Sequence, residues 1–255
     1  MLPREHGAYG QALFPLLTAF AVAGVSRSAA LTAVAVVAMF LAHEPLVLLL
    51  GQRGRRNQAA QAGRAWWSLM ICIVIATASG VLAIDAMRAD LRWTFLIPAV
   101  PALWLFRAIL TGREKTLSAE ATVAMAFAGA AIPVCAASGK LMAGIVIAAA
   151  YALVFFLGTL TVRVIILRTR GGGNPAAVRR TQRLTFAVAA LGTSIALAGA
   201  ADGVVPWLVV AAILPATAFA SVLAAFPPPA TRLKRVGWSL VAVTAATAVL
   251  LVAAV

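Results

Sequence analysis

Apolar residues run along this chain in blocks of about twenty, each closed by a short cluster of arginine, glycine, proline or other polar residues. A helix needs about 20 predominantly apolar residues to cross a bilayer. Windows of that size place nine spans at 8–25, 29–50, 66–84, 93–110, 121–137, 141–167, 184–200, 207–226 and 237–255. The first block is read as a span rather than a cleaved leader. Ala21-Val22-Ala23 has the small-residue form of a cleavage site, but Glu5 weakens the basic leader and eight further spans follow. The expected fold is an all-α membrane protein, with residues 1–255 forming a single polytopic domain of nine transmembrane helices.

Composition excludes the soluble alternatives. The chain is 63% hydrophobic and 11% charged, with a mean hydropathy of +1.00. A soluble domain has about a quarter of its residues charged, so neither a soluble enzyme nor a disordered chain fits. The net charge of +14 would suggest nucleic acid in a soluble protein, but its distribution has another cause. Fifteen of the 21 basic residues precede span 1 or fall in the segments 51–65, 111–120, 168–183 and 227–236. Four lie on the other side (Arg27, Arg88, Arg92 and Lys140), and Arg107 and Arg163 fall within spans. Basic residues are retained on the cytoplasmic side, which puts the N-terminus inside and the C-terminus outside. The partner is the lipid bilayer, not nucleic acid. Trp66, Trp67, Trp93, Trp207 and Trp238 sit at span ends and read as interfacial anchors. Cys72 and Cys135 lie in apolar runs without CxxC spacing, so there is neither a disulfide framework nor a zinc ribbon.

The longest connections expected are 51–65 and 168–183, the second with an irregular turn at Gly171-Gly172-Gly173-Asn174-Pro175. The triple glycine is not a phosphate loop, because GxxxxGK[ST] is absent. Loops starting at 51 and 111 are followed four spans later by loops starting at 168 and 227, which hints at two four-helix halves and a ninth helix. Pro15, Pro98, Pro101, Pro133, Pro206 and Pro215 lie within spans or at their mouths, where each can kink a helix if neighbours satisfy the freed carbonyl.

Polar residues that insertion does not explain carry the chemistry, since a charge at mid-membrane costs about 2.5–3.5 kcal/mol on insertion scales. His43 and Glu44 lie within span 2, His43 roughly 10 Å from its end. A buried carboxylate needs a cation or hydrogen-bond donors, so Glu44 demands a partner, which an arginine would supply structurally. His6 stands at the mouth of span 1 beside Arg4, suited either to capping or to a site. Arg107 ends span 4, and Glu114 would share its face if that helix continued. Lys115 and Glu120 surround the start of span 5, where a solvated loop is the plainer reading. In span 6, Phe155, Thr159 and Arg163 fall on one stripe. Arg107 and Arg163 are also long enough to snorkel to headgroups. All belong to cytoplasmic half-spans, and together they suggest an inward-facing polar pocket formed by spans 1, 2, 4, 5 and 6.

The Pro3-Arg4-Glu5-His6-Gly7-Ala8 opening, the Arg113-Glu114-Lys115 segment and the Phe155-Phe156-Leu157-Gly158-Thr159 run resemble the YwiC-like family of bacterial integral membrane proteins, over the whole chain. That resemblance implies a multi-pass protein of the bacterial inner membrane and little chemistry. Nine spans, an inside N-terminus and long loops after spans 2 and 6 are more distantly similar to UbiA-type intramembrane prenyltransferases. Those enzymes hold a prenyl diphosphate through magnesium on aspartate-rich motifs at the ends of helices 2 and 6. The corresponding stretches here, His43 to Asn57 and Arg163 to Arg170, contain no aspartate. An arginine clamp on a phosphate is chemically sensible in their place.

Three functions compete. The first is binding or modification of an anionic isoprenoid or quinone-like lipid, with Arg4, His6, Arg107, Glu114, Lys115, Thr159 and Arg163 around the ligand and His43 or Glu44 as acid or base. The second is a transporter of a small solute, coupled through Glu44 and Arg107. The third is a haem or metal protein with His6 and His43 as ligands, although the adjacent His43 and Glu44 point about 100° apart on a helix. The residues identify no cofactor, and no metal site is assigned. One expectation is tested directly: a phosphatase fused after Val255 should be active, and a fluorescent reporter that matures only in the cytoplasm should stay dark. The reverse pattern would overturn the orientation.

Overall fold

The computed structural model describes residues 6–113, 116–169 and 174–255, with side chains from Tyr9 onward. Among these residues every regular element is helical. The helices are α1 (His6–Ala23), α2 (Arg27–Leu49), α3 (Arg55–Ala86), α4 (Leu96–Leu110), α5 (Leu117–Gly129), α6 (Ala131–Ala136), α7 (Leu141–Thr169), α8 (Pro175–Ala201), α9 (Trp207–Ala225) and α10 (Leu233–Ala254). Short 3-10 segments, Ala89–Phe95 and Ala230–Arg232, lead into α4 and α10. Eight stretches are long and apolar enough to cross a membrane: α2, α3, Ala89–Leu110, Leu117–Ala136, α7, α8, α9 and Ala230–Ala254. The remaining one, α1, is apolar but shorter over Tyr9–Ala23.

Two expected loops are mostly helix. The stretch 51–65 contracts to a tight turn because α3 already starts at Arg55, and 168–183 contracts because α7 runs to Thr169 and α8 starts at Pro175. Arginine, glutamine and alanine are strong helix formers, so a helix rich in them continues beyond the apolar zone. Asn174 caps α8 by accepting a hydrogen bond from the Ala176 N–H, with Pro175 in the first turn, where its missing N–H is harmless. The span expected at 121–137 is broken instead. Pro133 has no N–H to give the Gly129 carbonyl, and at the break the Ala130 N–H turns to Phe127 O at 3.3 Å.

The chain divides into two compact units, residues 1–148 and 149–255, with the seam inside α7. At the centre of the first unit lies α6, all six of whose residues are buried. It packs against α1, α2 and the 3-10 segment before α4. Beside it, α2 and α3 lie side by side on small residues, Ala29, Ala38 and Ala42 against Ala65, Ala76 and Ala83. Such residues let helix backbones approach closely. Ser28 Oγ fastens the pair by donating to Ala83 O at 2.8 Å.

The second unit gathers α8 to α10 and the later part of α7, with Leu157, Ala189 and Ala220 in one buried cluster. Thr247 Oγ1 on α10 donates to Ala212 O on α9 at 2.9 Å. The buried hydroxyls of Thr161, Thr181, Thr185 and Thr244 each return to the carbonyl four residues back, so none is left unsatisfied in the apolar interior.

Two glycines make opposite demands. A Cβ on Gly144 would stand 2.9 Å from both Ile132 Cα and Cys135 Cβ, atoms of buried α6 that cannot step aside. A Cβ on Gly192 would meet the methyl groups of Leu153, which can rotate away. Gly144→Ala should therefore lower stability by about 1–3 kcal/mol in equilibrium unfolding from mixed micelles, and Gly192→Ala by clearly less. Equal losses would contradict the packing described for α6.

Candidate functional site

The end of α2 and its turn into α3 concentrate polar side chains that the membrane alone does not require. Leu50 closes α2, and its N–H bonds to Leu46 O. Gly51 (φ 73°) and Gly54 (φ 93°) adopt the left-handed backbone that glycine tolerates without strain, so the chain reverses within five residues. That reversal folds Arg53 back along α2. Its Nη2 donates to Glu44 Oε2 at 2.8 Å and its Nε to Glu44 Oε1 at 3.2 Å. The pair is bidentate, with the Glu44 side chain 10% exposed and the arginine side chain about a third exposed. Glu44 thus finds the cation that its burial demands, nine residues on and in the same hairpin.

Amides complete the turn. Gln58 Nε2 donates to Leu49 O at 2.6 Å, Gln52 Nε2 to Ile109 O at 2.8 Å and Asn57 Nδ2 to Arg53 O at 2.9 Å. The first satisfies a carbonyl in the last turn of α2, and the second joins the Gly112 N–H, which already bonds to the same Ile109 O at 3.0 Å.

Further into the unit an aromatic ladder crosses three helices. Tyr9 of α1 meets Phe40 of α2 edge to face, with centroids 5.1 Å apart, and Phe40 meets Phe127 of α5 at 5.7 Å. Phe40 lies one turn before Glu44 on the same helix face, and Glu120 lies two turns before Phe127 on α5. His43 is half-buried beside Glu44. This unit therefore offers a charge-neutral pair, a histidine and an aromatic wall near one end of its helices.

Arg107 is exposed, with its guanidinium 5.7 Å from the centre of the Trp104 ring, a cation–π pairing. The helix that carries Arg107 does not continue: α4 stops at Leu110 and the turn after it passes through Gly112 at φ 67°. Glu114, Lys115 and Arg4 lie outside the described residues, as does the side chain of His6. Thr159 and Arg163 are half-buried on α7, in the second unit. Among the described residues no three His, Cys, Asp or Glu side chains converge on a point where they could hold a metal.

Sequence reasoning placed Arg53 with the loop charges and did not see it as Glu44's partner. The available signal was Gly51 and Gly54, which bracket it and force an immediate reversal. The aromatic ladder carried no local signal, because its members are 31 and 87 residues apart. Removing one member of a buried pair strands the other. Arg53→Ala should thus cost about 3 kcal/mol of stability, and Glu44→Gln only about 1 kcal/mol, because a partly exposed arginine can turn to water. Replacing both by leucine should restore stability to within about 1 kcal/mol of the parent. Equilibrium unfolding of the four proteins tests this order, and a double variant as unstable as Arg53→Ala would refute the pairing account.

No protein of curated function and no solved structure matches the chain. The sequence profile of the YwiC-like proteins matches residues 2–135. That stretch holds the first five spans, both histidines, the Glu44–Arg53 pair and the whole aromatic ladder. With more than half of its length matched and its helices suited to a bilayer, the chain belongs to the YwiC-like family and is a multi-pass integral membrane protein.

Proposed function

We propose that the first unit binds an anionic isoprenoid or quinone-like lipid near the end of α2, with the basic ends of the helices in the cytoplasm of a bacterial inner membrane. One observation carries this reading: a buried, arginine-paired carboxylate and a half-buried histidine stand one turn from an aromatic ladder inside a membrane-spanning helix. A lipid with a polar head and a flat or branched apolar body has the matching chemistry. Its ring or first isoprene unit would lie along Tyr9, Phe40 and Phe127, and its head would reach His43 and the polar turn. The family match, confined to residues 2–135, supports placing the site in this unit.

Glu44 serves here chiefly to hold Arg53, because both its oxygens already accept charge-assisted hydrogen bonds. His43 is then the group for proton exchange with the ligand, since an imidazole can both donate and accept a proton through its two ring nitrogens. The stretch His43 to Asn57, which in a UbiA-type prenyltransferase would carry the aspartates that chelate magnesium, has none. Cations of the chain itself take that electrostatic role.

Lipid extracted from the protein purified in mild detergent should contain an isoprenoid or quinone-like species enriched over the bulk membrane extract. An isoprenoid monophosphate should bind equally with and without EDTA, and Phe40→Ala should weaken that binding about tenfold, as expected for losing 1–2 kcal/mol of apolar contact. Absence of any enriched lipid together with strict magnesium dependence would overturn the proposal.

A further inference from the structure

The second unit carries a cavity of about 320 Å³ where the end of α7, the first turns of α8 and the end of α9 meet. Two guanidinium groups line it, Arg168 and Arg179, with Gln182 beside them and Val178 and Pro227 supplying apolar wall. We infer that this cavity is a headgroup site for an anionic glycerophospholipid of the surrounding bilayer, with the two arginines taking its phosphodiester.

The arginines differ in a useful way. Arg168 is fixed in place, its Nη1 donating to Pro227 O at 2.9 Å. That bond uses one of five guanidinium N–H donors and leaves the rest for a ligand. Gln182 does similar duty next to it, donating to Ala224 O at 2.7 Å. Arg179 makes no hydrogen bond or ion pair with any described residue. The site therefore presents one positioned cation and one unengaged cation across a concave surface.

Nothing within the unit neutralises them. Its one acidic residue is Asp202, at the far end of α8. Twenty-three residues of helix separate it from Arg179, roughly 35 Å, several Debye lengths at physiological salt. The start of α8 adds the positive end of its dipole. It adds no free donors there, because the N–H groups of Ala176, Ala177 and Val178 are already bonded to Asn174.

Retention of basic residues at one face of the membrane explains the charge but not the cavity or the anchoring of Arg168 to α9. The apolar part of the wall and its surroundings select a lipid over a free anion. Phe226, next to Pro227, is 79% exposed, and Phe186 is exposed two turns along the α8 face that carries Arg179. Acyl chains laid over these rings would leave the phosphate at the arginines. Basic pockets between helix ends at a membrane face hold anionic headgroups by this combination of contacts. The inference does not rest on the site proposed in the first unit.

The test uses the full-length protein in detergent, with native mass spectrometry reading bound phosphatidylglycerol, phosphatidylcholine or inorganic phosphate. Phosphatidylglycerol should bind, phosphatidylcholine should bind at least tenfold more weakly, and millimolar inorganic phosphate should not displace the lipid. Arg179→Gln, which breaks no bond to any described residue, should weaken phosphatidylglycerol binding about tenfold, the loss expected for one charge-assisted partner. Arg168→Gln should weaken it at least as much. The control Lys234→Gln/Arg235→Gln removes two charges from the same end of the unit outside the cavity and should leave binding within about twofold, as screened surface charges do. Losses in the control as large as in Arg179→Gln, or equal binding of the zwitterionic lipid, would overturn the site. Displacement by inorganic phosphate alone would show a phosphate pocket and overturn the lipid assignment.

Discussion

A helix in hydrocarbon satisfies its own backbone everywhere except at its ends, where the last carbonyls have no N–H to accept. This protein meets that constraint with long side chains borrowed from neighbouring segments. Lys140 Nζ donates to Val22 O at the end of α1 and Gln58 to Leu49 O at the end of α2. In the second unit, Arg168 and Gln182 do the same for Pro227 O and Ala224 O where α9 finishes. Each bond caps one element while tethering it to another, so satisfying the backbone and fixing the helix arrangement are a single act. The turn between α2 and α3 and the cavity beside α8 both arise where such tethers cluster.

Between the ends, packing is governed by what is missing from the side chains. The interior of the first unit is largely alanine, and α6 is buried on every side because its neighbours carry almost nothing to hold it away. Close approach replaces the bulky interdigitation of a soluble core, consistent with association inside a bilayer, where apolar burial brings no gain over lipid contact.

Most of the architecture was legible in the sequence because insertion imposes one dominant signal, block hydropathy, and every span it suggested corresponds to a helical stretch. What escaped was governed by shorter-range physics. The Arg55 to Arg64 stretch looks like a loop to a hydropathy window, yet its arginine, glutamine and alanine residues extend α3. Pro133 was visible as a kink, but not as the cause of a separate six-residue helix. At the site, the need of Glu44 for a cation followed from burial alone. The identity of that cation depended on two left-handed glycines setting the length of a turn. Contacts such as that of Tyr9 with Phe40, or of Phe40 with Phe127, depend on which faces of distant helices meet, and a single sequence does not encode that legibly.

The five-residue reversal at Leu50–Gly54 also bears on how the protein enters its membrane. Glu44 would be a severe burden on α2 inserting alone, because the helix would carry an unpaired carboxylate into lipid. Its partner, however, leaves the ribosome only nine residues later, well before α3 is complete. The ion pair can therefore close at the membrane surface while α3 is still being made, so that α2 carries no unpaired carboxylate into the bilayer. Ser28 and Ala83, whose bond joins the opposite end of the same two helices, are 55 residues apart and must meet last. Biogenesis of this hairpin thus has a built-in direction, zipping from the turn towards the open end.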